Sequence, residues 1–213
     1  MSYSRKGLLE QSEVAITNTL NNPLIQQKLK AIGYTIEQVH AGDALRTQAL
    51  EWKQVRKQKY SSKLSSTDAL YQQWQALKII YSEHVTLARL AFRQNRVMLK
   101  DLRLTGQRAT SLPEWIEQTS AFYGAIAGIH KPMAKYGVKK EDLEQTKATL
   151  DTLITLRHQR ISQQGTAQDA TQKYQQATDA LNAWMRDFRE AARYALRHDE
   201  QLLESLGMLV ASK

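Results

Sequence analysis

The sequence predicts an all-α protein in which two internally duplicated long helical hairpins form a four-helix bundle with additional short helices. A pseudo-twofold axis is expected to relate the two halves. Three observations lead to this prediction. Only three prolines and nine glycines interrupt 213 residues that are dominated by good helix formers. Apolar residues recur every seven positions in two long stretches. The chain also matches itself without a gap after a shift of 104 residues.

The self-match is clearest where Ala88–Arg93 aligns with Ala192–Arg197, because both windows read Ala-Arg-x-Ala-x-Arg. The glycines that are expected to end short helices align as well, with Gly33 opposite Gly137. We therefore expect two helical repeats that pack together as one unit, like a dimer fused into one chain; they are residues 1–104 and 105–213.

The first repeat is predicted to begin with two short helices, residues 7–20 and 23–31. Gly33 then provides the left-handed residue that commonly follows a helix. Thr35 with Gln38 forms a capping-box pattern at the start of a long helix. We expect this helix to end near Ser62, before a turn at Ser65–Asp68 and a second arm to Gln94.

The second repeat is predicted to follow the same plan. Ser111 and Glu114 form a capping-box pattern, and Gly137 ends the short segment. A long helix is expected from Lys139 to about Gln163, followed by a turn at Gly165–Thr166 and a second arm to Arg197.

The second arm of each hairpin carries an apolar stripe with a period of seven residues, which predicts the core. His84 falls within the first stripe, where the second stripe has Phe188. A lone histidine in this position is more typical of a core residue than of a ligand or a base. The stripes are Leu70, Leu77, His84 and Ala91, and Tyr174, Leu181, Phe188 and Ala195.

The composition limits the class of protein. The chain has no cysteine, which excludes disulfides and thiolate metal sites. It has no run of apolar residues long enough for a membrane span, so we expect a cytoplasmic protein. The net charge of +9 is uneven, because residues 1–104 hold 16 basic and 8 acidic side chains and residues 105–213 hold 14 and 13.

A basic run with aromatic residues lies in the first long helix. Such a run is a candidate polyanion-binding site, because lysine and arginine neutralise phosphates and aromatic rings accompany them at nucleic-acid interfaces. The alternative is a solvated helix surface. The candidate residues are Arg46, Lys53, Arg56, Lys57, Lys59, Tyr60 and Lys63.

The repeated arginines Arg89, Arg93, Arg193 and Arg197 have two interpretations. Each pair is spaced by one helical turn, so its guanidinium groups could bind one anion. Alternatively, they form structural pairs with glutamates that also recur, Glu13 and Glu117.

No motif predicts catalysis, a cofactor or a metal. Glu37-x-x-His40 has the spacing of di-iron bundles, but it lies at a helix start, where the helix dipole explains a glutamate. We therefore expect a non-catalytic protein without a cofactor.

Three segments resemble a group of uncharacterised bacterial all-helical proteins with an internal duplication and about 200 residues. They are Leu87–Arg93, the Tyr136-Gly137-Val138 turn with Glu141-Asp142-Leu143, and Trp184-Met185-x-Asp187-Phe188. The resemblance covers most of the chain and implies an all-helical fold and a bacterial source, but no activity.

Two functions remain. The first is a non-catalytic interaction or scaffolding protein that presents long helices to a protein partner or associates with itself. The alternative is binding of nucleic acid or another polyanion through the basic face of the first repeat.

Overall fold

The computed structural model describes residues 5–208, which form eight helices and no strand, so the all-α class is confirmed. Two helices of 56 residues dominate the chain. The elements are α1 (Arg5–Asn21), α2 (Pro23–Ala31), α3 (Ile36–Ala91), α4 (Arg96–Asp101), α5 (Leu112–Ile126), α6 (Lys131–Ala134), α7 (Lys140–Ala195) and α8 (Glu200–Ser205).

The predicted helix starts in the first repeat are confirmed by their hydrogen bonds. The Asn22 side chain accepts from the backbone N–H groups of Leu24 and Ile25, which caps α2. The Gln38 side chain accepts from the Thr35 N–H at 2.7 Å, which is half of a capping box. At α5 the predicted box is not formed, because the Ser111 hydroxyl donates to Glu114 instead of capping a backbone N–H.

The predicted hairpins are wrong, because α3 and α7 each continue through the expected turn. Serine and threonine can bond back to the carbonyl three or four residues earlier in a helix, and this competes with their capping role. The hydroxyls of Ser66 and Thr67 both donate to the Lys63 carbonyl in this way. In α7, Gly165 lies within the helix, where one glycine costs about 1 kcal/mol and does not end it. Each long helix therefore extends for about 84 Å at 1.5 Å per residue.

The helices group into two compact units that divide the chain differently from the predicted repeats. The first unit contains the described residues up to Ser61 and from Gly165 onwards, and the second contains Ser62–Gln164. Each unit thus combines part of α3 with part of α7, because both long helices continue where hairpins were expected.

In the core of the first unit, buried residues of α1, α2 and α8 pack against buried residues of α3 and α7. Leu181 and Phe188 of the predicted stripe are fully buried there, as expected. The Trp184 ring stacks on Phe188 with 5.1 Å between centroids, and Tyr34 meets Phe188 edge-on at 5.8 Å.

The core of the second unit is rich in aromatic residues. Tyr81 makes edge-on contacts with Trp115 at 5.7 Å and with Phe122 at 5.5 Å. Leu70, Leu77 and His84 of the predicted stripe are buried, which confirms that this side of α3 faces the core.

Within the described residues, no helix is long and apolar enough to cross a membrane.

Candidate functional site

The predicted basic residues all lie on α3, but their surroundings differ. Lys53, Lys57 and Lys59 are exposed and form no ion pair with an acidic residue in the described part of the chain. Tyr60 is 55% exposed. These side chains are therefore accessible to a partner.

Arg46 has a structural environment. Its guanidinium lies 3.4 Å from Asp43 and 3.9 Å from Glu13, and its side chain is only 20% exposed. Two carboxylates balance its charge, so Arg46 does not belong to an anion-binding surface.

Arg56 and Lys63 are half-buried. The Arg56 guanidinium lies 4.5 Å from the centroid of the Tyr174 ring, which is a cation–π contact between α3 and α7 in the first unit. The Arg56 side chain therefore contributes to the packing of α3 against α7 in addition to its positive charge. The accessible part of the predicted basic run consists of Lys53, Lys57, Lys59 and Tyr60.

More than half of the exposed large apolar side chains of the described residues lie on α3, which the sequence patterns did not predict. Among the described residues, 13 large hydrophobic side chains are exposed; seven are on α3 and only Ile161 and Tyr194 are on α7, although the two helices have equal length. We call the seven the α3 apolar residues: Leu50, Tyr60, Leu64, Tyr71, Ile79, Ile80 and Leu90.

The two long helices also differ in charge. α3 carries eight basic and five acidic side chains, whereas α7 carries eight of each. α3 is thus both the more basic helix and the one with more exposed apolar surface. The basic and apolar residues of α3 are visible in the sequence, but their exposure could be recognised only after the structure showed which face of α3 is covered.

The repeated arginines do not use the expected glutamates. Arg89 Nε donates to the Leu104 carbonyl at 3.0 Å. Glu117 pairs with Arg103 at 3.3 Å. Arg197 donates to the Tyr194 carbonyl in its own helical turn at 3.0 Å.

All four repeated arginines are exposed. Arg89 and Arg197 each bond to a backbone carbonyl rather than to a recurring glutamate.

His84 lies in a buried polar group of the second unit. Its Nδ1 lies 2.9 Å from the Tyr123 hydroxyl. Burial lowers the pKa of His84, and nearby Asp142 and Glu83 only partly offset this shift. Burial raises the pKa of Tyr123, and the Thr146 hydroxyl, which hydrogen-bonds to it, acts in the opposite direction. His84 is therefore a neutral core residue with a hydrogen-bond partner.

The described residues contain no group of three histidine, aspartate or glutamate side chains that could hold a metal. Glu37 lies at the start of α3, where a hydrogen bond with the Thr35 side chain lowers the pKa of its carboxyl group. This environment accounts for Glu37 without a metal.

Comparisons of the chain with protein families, curated proteins and solved structures found no match. The resemblance to bacterial duplicated helical proteins therefore stays a prediction.

Proposed function

We propose that the chain is a non-catalytic interaction protein that presents the exposed side of α3 to a protein partner. The observation that supports this proposal is the concentration of exposed apolar side chains on α3, seven against two on α7. Exposed apolar side chains cost free energy in water, and an excess of them on one helix favours a surface that a partner covers.

We also propose that the chain arose by internal duplication. α7 begins and ends 104 residues after α3, and α8 is displaced from α4 by the same number. Gly33 and Gly137 share a φ of 84°. These correspondences support a common plan for the two repeats, in which each repeat contributes one continuous long helix. The pseudo-twofold relation between the repeats is part of this proposal.

A site-specific photo-crosslinker tests the interaction function. We would place the crosslinker at Tyr71, which is 49% exposed on α3, or at Tyr194, which is 61% exposed on α7. The proposal expects a discrete crosslinked adduct from position 71 in the native cell and none from position 194. Equal crosslinking at both positions, or none at position 71, contradicts the proposal.

The accessible lysines support a second candidate, which is binding of nucleic acid or another polyanion. Lys53 and Lys57 are one helical turn apart on an exposed face, and Tyr60 lies on the same face. Lysines in such a row can neutralise successive phosphates, and an exposed aromatic ring can stack on a base.

Heparin retention at low salt tests this candidate. The variant Lys53→Glu/Lys57→Glu/Lys59→Glu is compared with Lys100→Glu/Lys131→Glu/Lys147→Glu, which changes the net charge equally at exposed positions elsewhere. Polyanion binding through α3 predicts earlier elution of the first variant only. Equal elution of the two variants shows a general charge effect and excludes the α3 site.

A further inference from the structure

An exposed stripe follows the part of α3 that belongs to the second unit. Four of the α3 apolar residues lie on it, with spacings of 7, 8 and 11 residues, which are close to two, two and three helical turns. They therefore lie along one side of the helix, and their side chains are between 44% and 65% exposed. We call this side the α3 stripe; its apolar members are Leu64, Tyr71, Ile79 and Leu90.

The polar members of the α3 stripe carry a single charge. They lie three or four residues from an apolar member, so they share its side of the helix, and all of them are exposed. None of them is basic, so the phosphate groups of a polyanion would find no opposite charge on the stripe. The polar members are Asp68, Gln75, Ser82 and Thr86.

Two basic residues beside the α3 stripe are engaged within the second unit. The Lys78 ammonium group lies 3.8 Å from the centroid of the Trp74 ring. Arg89 Nε donates to the Leu104 carbonyl. These two contacts hold both side chains against their own chain, so neither of them needs a partner for its charge.

The apolar members of the α3 stripe are self-complementary in the antiparallel direction. A twofold axis brings residue i of one copy to residue j of the other, and residue j to residue i. The midpoint between Leu64 and Leu90 is position 77, and the midpoint between Tyr71 and Ile79 is position 75. The two midpoints differ by about 3 Å along the helix, which is less than one turn. One twofold axis therefore brings Leu64 against Leu90 of a second copy, and Tyr71 against Ile79.

The charge on the α3 stripe favours the antiparallel over the parallel direction. A parallel pair would place Asp68 beside Asp68 of the second copy, and like charges in contact cost free energy. In the antiparallel pair, Asp68 faces the stretch from Ser82 to Thr86 of the second copy. The Ser82 hydroxyl can donate a hydrogen bond to a carboxylate there.

We propose that a second copy of the chain covers the α3 stripe, in an antiparallel pair of α3 helices related by a twofold axis. This inference rests on the function proposed for α3 and identifies the protein partner as the chain itself. The contact from Leu64 to Leu90 is about 40 Å long and involves one helix of each copy. A contact of this kind is smaller than an obligate interface, so we expect a reversible dimer with a Kd on the order of 10 µM.

Sedimentation equilibrium of the purified full chain from about 1 to 200 µM tests the dimer. The average mass is expected to rise from that of one chain towards that of two. Ile79→Glu should weaken dimerisation by about ten-fold or more, because it places a charge in the contact. The matched control Ile161→Glu, at a 51% exposed position of α7, should change the Kd by less than about two-fold. A chain that stays monomeric, or equal effects of the two variants, overturns the proposal.

Disulfide trapping tests the antiparallel direction, because the chain has no cysteine of its own. A mixture of Leu64→Cys and Leu90→Cys chains is expected to form a disulfide-linked dimer on mild oxidation. Leu90→Cys alone is not, because the two copies of this residue would be about 40 Å apart, whereas a disulfide needs Cα atoms within about 7 Å. Faster trapping of Leu90→Cys alone than of the mixture indicates a parallel pair and overturns the proposal.

The mass of the adduct from the crosslinker at position 71 in the native cell separates this inference from the function proposed for α3. An adduct of two copies of the chain supports both. An adduct with a different protein overturns the second copy as the partner and leaves the interaction function of α3 in place. The absence of any adduct contradicts both.

Discussion

Gly42 of α3 lies directly against the indole ring of Trp184 in α7. A Cβ atom added at Gly42 would overlap the six-membered part of that ring. Trp184 Nε1 also donates to the Gln38 carbonyl at 2.9 Å, one turn before Gly42. The ring therefore lies on the backbone of α3, and this close approach requires a glycine.

Replacing Gly42 by alanine is expected to destabilise the protein. Overpacking of a filled core costs about 1–3 kcal/mol, which outweighs the gain in helix propensity of about 1 kcal/mol. Urea unfolding followed by circular dichroism measures the change. Trp184→Leu in the Gly42→Ala background should recover part of the loss. A Gly42→Ala variant as stable as the original chain contradicts the close contact.

Gly165 provides the opposite case within α7. An added Cβ atom meets no atom within 4 Å there, and its φ does not lie in the left-handed region. Gly165→Ala should therefore stabilise the protein by about 0.5–1 kcal/mol, because it reduces the entropy of the unfolded chain and favours the helix. The same unfolding experiment tests the continuity of α7. A loss of stability would indicate the turn that the sequence had predicted.

His84 is expected to make the stability depend on pH. Burial lowers its pKa in the folded state below the unfolded value of about 6.5. Above that value His84 is neutral in both states and its contribution to stability is complete. As the pH falls below it, the unfolded chain binds a proton first, so stability is lost until the pH reaches the folded-state pKa.

The variant His84→Phe, which introduces the residue found at position 188, isolates this effect. Unfolding free energies at pH 8 and at pH 5.5 should differ less for the variant than for the original chain. The difference in slope has an upper limit of about 1.4 kcal/mol per pH unit, because a single proton is involved. The other four histidines are not buried, so they remain as a common background. Identical slopes for both proteins would show that His84 is not desolvated.

Arg89 and Arg193 occupy matching positions in the self-match but should differ in their effect on stability. Both arginines are exposed, but Arg89 Nε bonds to the Leu104 carbonyl at 3.0 Å, whereas Arg193 makes no hydrogen bond or ion pair with the described residues. Arg89→Ala should lower the unfolding free energy by about 1 kcal/mol, and Arg193→Ala by less than about 0.5 kcal/mol. Thermal unfolding of both variants tests this difference. Equal shifts in Tm would contradict the prediction.

The sequence predicted only part of the two candidate surfaces on α3. The basic run was identified, but Arg46 turned out to be paired with Asp43 and Glu13, and Arg56 lies on the Tyr174 ring. Charge along a helix does not reveal which side chains meet a carboxylate or a ring on another element. The α3 apolar residues were missed for the same reason, since an apolar residue counts as exposed only when the covered face is known.

The sequence by itself determined the helical class, the starts of α2 and α3, the glycine after α2 and the stripe from Leu70 to His84. These features depend on local hydrogen bonding and on the period of the helix, so neighbouring residues specify them. The continuity of α3 through Ser65–Asp68, and of α7 through Gly165, was decided only by the tertiary structure. Serine, threonine and single glycines are compatible with both a turn and a helix at small cost. The packing of both long helices within each of the two units selects the helix.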